Sequence, residues 1–555
     1  MANLSQQKRE RMLAFLNKVK EEHKDDDETL IALDEIENEI NSKKYGLVWE
    51  KHEEEVDRMM QDNIPVFTEV KEREIIATGE NAYNFLLEGD NLHSLKLLEK
   101  THAGKIDVIY IDPPYNTGNK DFIYDDSFVD KTDGYTHSKW LSFMSERLEI
   151  AKRLLSDEGA IFISISDVEL YNLKLLCDYI FGEQNFVATL VWTNKEGGGS
   201  SDSKLFRIKQ EYVLVYSTLI EKLKIKGVDI SNPERYKSTD SYLESRGKYY
   251  LQKLGMGSIQ YSSSLDFPIE CPDGSFTTPS ENNNGKKACW RWSKEKLQWG
   301  LKNGFIEFKK NINNKWIVYT KQYMNCDNNG NIVSRSQRPM GIIDSFSSTQ
   351  GAKQQKRVLP NSSFSYPKDT NLISWLIERV DCKNPTILDF FAGSGTTAHA
   401  VLELNKEDGG NRKFILCTNN ENNICEEVTY ERIKRVIHGY ADVEGIPANL
   451  KYFKTDFILK DADDVSEEFL SHIKEMVELE NGITLDNKHY LIVLSDEQAD
   501  ELAKNWSNYE DVKAIYVSRN VLFTSEQNAL FSNTEIHIIP DYYFEYELKE
   551  VGETW

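Results

Sequence analysis

The stretch Asp107–Gly118, DVIYIDPPYNTG, ends an apolar strand in an acid, two prolines and a tyrosine. A near-continuous apolar strand suits a parallel sheet covered on both faces. Asp112 then lies at the sheet's carboxyl edge, the usual place for ligands in an open α/β sheet. Pro113 has no N–H and its ring fixes φ, so Asp112 and the Pro113 carbonyl offer two acceptors and no donor. An exocyclic NH2 presents two donors, so the match is to an amino group. Pro114 stiffens the same corner, and Tyr115 adds a flat face on which a base can stack, worth about 1–3 kcal/mol per base. The plain structural alternative is a D-P-P turn capped by a core tyrosine.

A second stretch, DFFAGSGTTA at Asp389–Ala398, satisfies G-x-G-x-x-A through Gly393, Gly395 and Ala398. That pattern alone is shared by NAD, FAD and adenosyl-ligand sites. Its glycines let backbone amides approach a ligand, and a helix start offers unpaired N–H groups. Asp389 before the loop suits a cationic group, such as the ammonium of a methionine moiety, better than a pyrophosphate.

The elements that must position these residues alternate strand and helix. AYNFLLEGDNLHSLKLLEKT, KIDVIYIDPPY, SFMSERLEIAKRLLSDEG and AIFISISD read as strand, turn and helix, strand, a helix stopped by Gly159, and strand. Such alternation predicts an α/β doubly wound, Rossmann-like sheet. It breaks at NKEGGGSSDS and resumes with TILDFFAGSGTTAHAVLELN and RKFILCTNN. The expected organisation is a helical segment over 1–70, a first half-sheet over 71–193 and an inserted domain over 194–358. A second half-sheet over 359–445 and a small α/β module over 446–555 complete it. In the first segment Met12, Phe15, Leu16 and Val19 form one apolar stripe, a packing or association surface.

The 555 residues carry a net charge of −24, which at first speaks against a polyanionic partner. The charge is uneven: residues 194–358 sum to roughly +11, and the last hundred to roughly −16. A basic middle in an acidic chain marks one segment for nucleic acid. In that segment KKACWRWSKEKLQWG mixes basic residues with Trp290, Trp292 and Trp299, and those tryptophans are expected to form a small core. The seven cysteines show no CxxC pair and no Cys/His cluster at zinc spacing, so reduced thiols, a cytoplasmic location and no metal site are expected. No run approaches 18 apolar residues and the first residues lack an apolar signal region, so neither a membrane span nor a signal peptide is expected.

Asp-Pro-Pro-Tyr together with Phe-x-Gly-x-Gly resembles the signature of the DNA amino-methyltransferases that use S-adenosylmethionine. The order here, DPPY before FAGSG, resembles the beta class. The context GDNLHSLKLL, YIDPPYNTGNKDFIYDDSF, YPKD and FAGSGTTAHAVLELN is similar to the modification subunit of type III restriction–modification systems, over residues 1–440. The resemblance implies that Asp112, Pro113, Pro114 and Tyr115 hold a flipped adenine by its N6 amine. It implies that Asp389, Phe391, Ala392, Gly393, Ser394, Gly395 and Thr396 line S-adenosylmethionine, with Asp90 and Asn91 near its adenine. Glu421 is implied at the ribose hydroxyls and Lys368, in YPKD, at the end of the cofactor pocket. Double-stranded DNA, a second copy of the chain and a separate restriction subunit with helicase and nuclease functions are the implied partners.

Other readings remain open on the residues alone. The two-acceptor corner serves N4 of cytosine as well, although Asp at 112 leans toward adenine within the family. A non-catalytic DNA-binding subunit that keeps the fold is a second class. A third adds nuclease activity, since Pro540, Asp541, Glu547 and Lys549 make a formal PD…ExK match, with the three polar residues on one face of a strand. An acidic edge strand is the plainer expectation there.

Overall fold

The computed structural model describes residues 4–551 apart from 25, 42–48, 50–53, 118–135, 195–205, 207, 230–231, 259, 334–335, 363, 365 and 463. Two compact units emerge, one of residues 1–225 with 341–555 and one of residues 226–340.

The first unit is built on a ten-stranded sheet. Its strands in chain order are β1 (Asn63–Glu69), β2 (Tyr83–Glu88), β3 (Ile106–Ile111), β4 (Leu155–Ile165) and β5 (Phe186–Trp192), then β6 (Glu211–Ser217), β7 (Ile342–Ile343), β8 (Thr386–Asp389), β9 (Lys413–Thr418) and β10 (Asn449–Leu459). They lie side by side as β1-β10-β2-β9-β8-β3-β4-β6-β5-β7. The helices that matter for the site are α1 (Leu4–Glu22), α2 (Asp27–Asn41), α3 (Glu55–Asp62), α4 (Asn91–His102), α5 (Thr136–Leu154), α6 (Leu170–Phe181), α7 (Ser348–Val358), α8 (Thr370–Ile377) and α9 (Thr396–Asp408). Apolar residues of β2, β3, β4 and β8 fill cores on both faces of the sheet, as the doubly wound expectation requires.

Several boundaries differ from the sequence reading. The sheet extends into the segment assigned to the insertion, because β6 pairs antiparallel with both β4 and β5, and β7 pairs with β5. The sheet is left at about residue 225 and rejoined at 341, well inside 194–358. The glycine- and serine-rich run that suggested a boundary lies mostly outside the described residues. β1 and β10 likewise belong to the sheet rather than to the helical segment and the last module. β10 is hard to read because Lys451 interrupts its apolar run; that lysine is fully buried between Glu69 and Glu478, with Nζ 2.7 Å from Glu478 Oε2.

Gly159 does not stop a helix. α5 ends at Leu154 and Gly159 lies within β4, where an added Cβ would stand 2.9 Å from the Asp107 carbonyl. The glycine is needed for the close approach of β3 and β4. In the N-terminal stripe Leu16 is buried while Phe15 is 66% exposed, so α1 and α2 use only part of it. After β10 comes a three-stranded parallel sheet of Tyr490–Val493, Ala514–Ser518 and Glu535–Ile539 with its own core of Leu491, Ile515 and Phe531.

The second unit is a small β-rich body. Strands Tyr249–Lys253, Ile306–Lys310 and Trp316–Tyr323 form an antiparallel sheet over Trp290, Trp292, Leu297 and Phe305. Trp299 packs 4.9 Å from the Phe305 ring, so all three tryptophans belong to the core.

Candidate active site

Six neighbouring strands, β10, β2, β9, β8, β3 and β4, run parallel, so their carboxyl ends share one edge. Asp90 and Asn91 follow β2 there, Asp112 follows β3, the Phe391–Thr396 loop follows β8 and Asn419 follows β9. β6 runs opposite to β4, with Tyr212 across from Ile165, so Glu211 arrives at the same edge.

The Asp-Pro-Pro-Tyr corner is rigidly backed. Trp140 Nε1 donates to the Pro114 carbonyl at 2.8 Å. Asn116 takes a left-handed φ of 56° and donates to Glu169 Oε1 at 2.6 Å, the Glu169 carboxylate being fully buried at the start of α6. At the corner itself Lys368 Nζ donates to Asp112 Oδ2 at 2.6 Å and lies 3.8 Å from Glu211 Oε2. The Tyr115 hydroxyl donates to Glu211 Oε2 at 3.0 Å, and Asn194 Nδ2 donates to Glu211 Oε1. Asp112 Oδ1 is buried and has no hydrogen-bond partner among the described residues. Burial pulls the Lys368 ammonium down, but the carboxylates of Asp112 and Glu211 outweigh it and hold it above the ordinary lysine range.

Lys368, expected at the end of the cofactor pocket, stands on Asp112 and over the Tyr115 ring, 5.0 Å from its centroid. Tyr115 is only 7% exposed, so the stacking face expected of it is largely covered. Glu211 escaped the sequence reading because it sits on a strand taken for part of the insertion.

The glycine loop is held from behind. Gly393 and Gly395 have φ of 49° and 72°, which L side chains rarely adopt. Thr429 Oγ1 donates to the Gly393 carbonyl at 2.5 Å, and an added Cβ on Gly395 would come within 3.3 Å of Thr429. Arg432, fully buried, donates to Thr396 Oγ1 at 2.9 Å, Ser394 Oγ at 3.1 Å and Gln355 Oε1 at 2.8 Å. The hydroxyls of Ser394 and Thr396 therefore point into the protein, and what the loop presents is backbone. The N–H groups opening α9 have no side-chain cap. Asp389 also points inward. It accepts from Phe391 N at 3.0 Å and Thr397 Oγ1 at 2.5 Å, and burial pushes its carboxyl up to about 7 in spite of both bonds. Phe391 and Ala392 are themselves nearly buried.

On the other side Asp90 caps α4 by accepting from Leu92 N at 2.8 Å, and Asn91 Nδ2 donates to the Phe390 carbonyl at 2.8 Å. Arg147, fully buried on α5, joins them: Nε donates to Asn91 Oδ1 at 2.6 Å, and Nη2 lies 3.3 Å from Asp90. The same guanidinium holds Glu54 through two bonds of 2.8 and 3.0 Å. Nothing in the sequence marked Arg147, which reads as one more charge on an amphipathic helix. Glu421 begins a short helical turn and is exposed. Asn419, directly after β9, instead has a buried Oδ1 without a partner among the described residues.

The PD…ExK residues do not converge. The strand stops at Ile539, Asp541 opens a short turn, and Glu547 and Lys549 lie on the helix Glu545–Val551. Asp541 pairs with Arg519, Glu547 with Lys100 and Lys549 with Glu545. Neither the shared strand face nor the acidic edge strand of the sequence reading is present. Among the described residues no group of three or more His, Cys, Asp or Glu is placed to hold a metal ion, and no helix is long and apolar enough to cross a membrane.

A carboxylate with one open oxygen and an uncapped glycine turn share one edge of a doubly wound sheet, an arrangement suited to holding a ligand there. Residues 106–430 match the model of the N6/N4 DNA methylase family, and the chain belongs to that family. It is similar to the type III restriction-modification enzyme StyLTI Mod subunit of Salmonella typhimurium, at 33% identity over 416 residues, 68% of this chain and 60% of that protein. The EcoPI Mod subunit of Escherichia phage P1 is 29% identical over 488 residues, 78% of this chain and 72% of that protein. The type II methyltransferase M.KpnI of Klebsiella pneumoniae is 33% identical over 351 residues, 60% of this chain and 79% of that protein.

Proposed function

We propose that this chain transfers a methyl group from S-adenosylmethionine to the N6 amine of an adenine flipped out of duplex DNA, as the modification subunit of a type III restriction–modification system. The observation that carries the reading is Asp112 Oδ1, a buried acceptor at the carboxyl edge of the sheet with no partner among the described residues. An acceptor fixed there takes one amine hydrogen, and the Pro113 carbonyl takes the other. Two such bonds favour a tetrahedral nitrogen and stabilise the positive charge it acquires as its electron pair forms the bond to carbon. The nitrogen then releases one proton to solvent. The target base is out of reach inside a duplex, so flipping it costs a few kcal/mol.

The residues across the edge suit an adenosyl ligand. The uncapped N–H groups of α9 and the backbone at Gly393 and Gly395 would hold its amino-acid end, with Phe364 across the loop, whose ring an added Cβ on Gly393 would approach to 3.5 Å. Asp90, Asn91 and Asn419 would meet its nucleoside, and Asp389 acts by bracing the turn. When bound, S-adenosylmethionine supplies the methyl group, its sulfonium sulfur keeping the electron pair of the broken carbon–sulfur bond. The basic unit of residues 226–340 would supply phosphate and base contacts. The Mod-subunit names of StyLTI and EcoPI support a separate restriction partner, and we extend this to a homodimer in the cytoplasm.

Single-molecule sequencing of DNA from cells carrying the wild-type chain or Asp112→Ala tests the reading. N6-methyladenine at one short sequence, present with the first and absent with the second, is the expected result. N4-methylcytosine in its place would overturn the choice of base, and no modified base of any kind would overturn the activity.

A further inference from the structure

The corner holds two carboxylates that differ in what is left open. Both oxygens of Glu211 are engaged, Oε1 by Asn194 and Oε2 by Tyr115, with Lys368 at 3.8 Å. Asp112 has Oδ2 engaged by Lys368 at 2.6 Å and Oδ1 without a partner among the described residues. Of the two carboxylates, Asp112 is therefore the one with an oxygen left for the amine. Lys368 is the difficulty. Its ammonium fixes the Asp112 carboxylate in one orientation, yet a bare cation beside a nitrogen that becomes cationic would oppose the reaction.

We infer, resting on the methyl-transfer reading, that Lys368 and Glu211 are a matched pair of positioning residues. Lys368 clamps Asp112 Oδ2 so that Oδ1 faces the amine, and Glu211 cancels the charge Lys368 brings. Counted together, Asp112, Lys368 and Glu211 leave the corner with one net negative charge. That charge faces the amine as it becomes cationic. Glu211 thus serves the reaction by its charge as well as by the hydrogen bond that holds the Tyr115 hydroxyl. The lysine side chain is only 11% exposed, so water screens the three charges weakly.

Two substitutions separate charge from reach. Glu211→Gln keeps the length and an oxygen for the Tyr115 hydroxyl but loses the charge. Glu211→Asp keeps the charge but shortens the arm. With the full-length protein, a DNA duplex carrying the target sequence and tritiated S-adenosylmethionine, kcat is expected to fall at least about 10-fold in Glu211→Gln and distinctly less in Glu211→Asp. KM for DNA should stay within about 3-fold in both. Lys368→Met combined with Glu211→Gln restores the net charge, so the double variant should be faster than the product of the two single losses by at least about 5-fold. Thermal unfolding of each variant controls for folding, and the Glu211 pair alone decides the matter if Lys368→Met does not fold. Overturning results are Glu211→Asp slower than Glu211→Gln, a change confined to KM, or single losses that simply multiply. If the wild-type protein methylates no DNA, the failure lies with the function proposed above and not with the roles of the pair.

Discussion

The Asp112 corner and the Pro540–Lys549 tail both place proline, acid and aromatic residues in an order that suggests catalysis, and only the first becomes a site. At the corner, residues from β3, from β6 and from the segment before α8 meet at the carboxyl edge of a parallel sheet. Asp112 Oδ1 and Asn194 Oδ1 are buried acceptors left without a partner there among the described residues. In the tail the acids lie on a turn and a helix, and each closes an ion pair with a different neighbour. Residue types in order are therefore weak evidence. A buried acceptor without a partner does not separate the corner from the tail, since Glu547 Oε2 in the tail is one as well among the described residues; convergence of several residues on the carboxyl edge of the sheet does.

The sharpest way to break this contrast is to remove the open acceptor. Asp112→Ala deletes both the oxygen facing the amine and the partner of Lys368, and methyl transfer should fall by about 10²–10³-fold or more. Binding of S-adenosylmethionine, followed by calorimetry, should change little, since Asp112 lies on the side of the target base. A variant that keeps more than about a tenth of wild-type activity would mean that the corner does not hold the amine.

Next in size is the support beneath the cofactor side. Arg147 is fully buried and joins Glu54, Asp90, Asn91 and the Phe143 carbonyl. Arg147→Met leaves the Glu54 carboxylate without its partner, and breaking a buried pair of this kind costs about 3–5 kcal/mol. Chemical denaturation should show that loss, with weaker cofactor binding because Asp90 and Asn91 lose the group that orients them. Equal stability with intact cofactor binding would make Arg147 a bystander.

How much of this was legible in the sequence follows the same division. Asp112, Tyr115, Gly393 and Gly395 announced themselves because prolines and glycines restrict or free the backbone in ways that only particular turns need. Arg147, Glu169, Glu211 and Arg432 did not, since an isolated charged residue on a helix or strand looks like a solvated one until its partners are known. Their partners are distant in the chain: Glu211 is 96 residues from Tyr115, and Arg147 is 93 from Glu54. The same limit hid β10, where Lys451 reads as an exposed charge but is paired inside the core. Hydroxyls and the acid in the glycine loop were legible as a loop but not in direction, because their targets, Arg432 and Thr397, are fixed only by packing.

Asp389 sharpens the contrast from inside the loop. Among the described residues its carboxyl has no cationic partner, and burial pushes it up to about 7. A carboxyl raised above its unfolded value adds stability that is complete below about pH 4 and is lost as pH rises through about 7. Asp389→Asn removes that titration while an amide can still bond Phe391 N and Thr397. Between pH 5 and 7 the wild-type protein should lose on the order of 2 kcal/mol relative to the variant, at about 1.4 kcal/mol per pH unit. Parallel stability curves for the two proteins would show instead that Asp389 stays ionised, as a residue gripping a cationic ligand group would.

The smallest effect belongs to the tail. The Asp541–Arg519 pair is open to water, with Arg519 72% exposed, so Asp541→Ala should cost at most about 1 kcal/mol of stability. Methyl transfer should remain within about 2-fold of wild type, measured beside Asp112→Ala on the same DNA. The informative result would be the opposite one. A loss of DNA cleavage in Mg2+ on substituting Asp541, with methylation untouched, would require Asp541, Glu547 and Lys549 to leave Arg519, Lys100 and Glu545 and assemble around a metal. Those ion pairs would then be locks on a second activity, and convergence on the carboxyl edge of the sheet would no longer be what distinguishes a working site from its imitation.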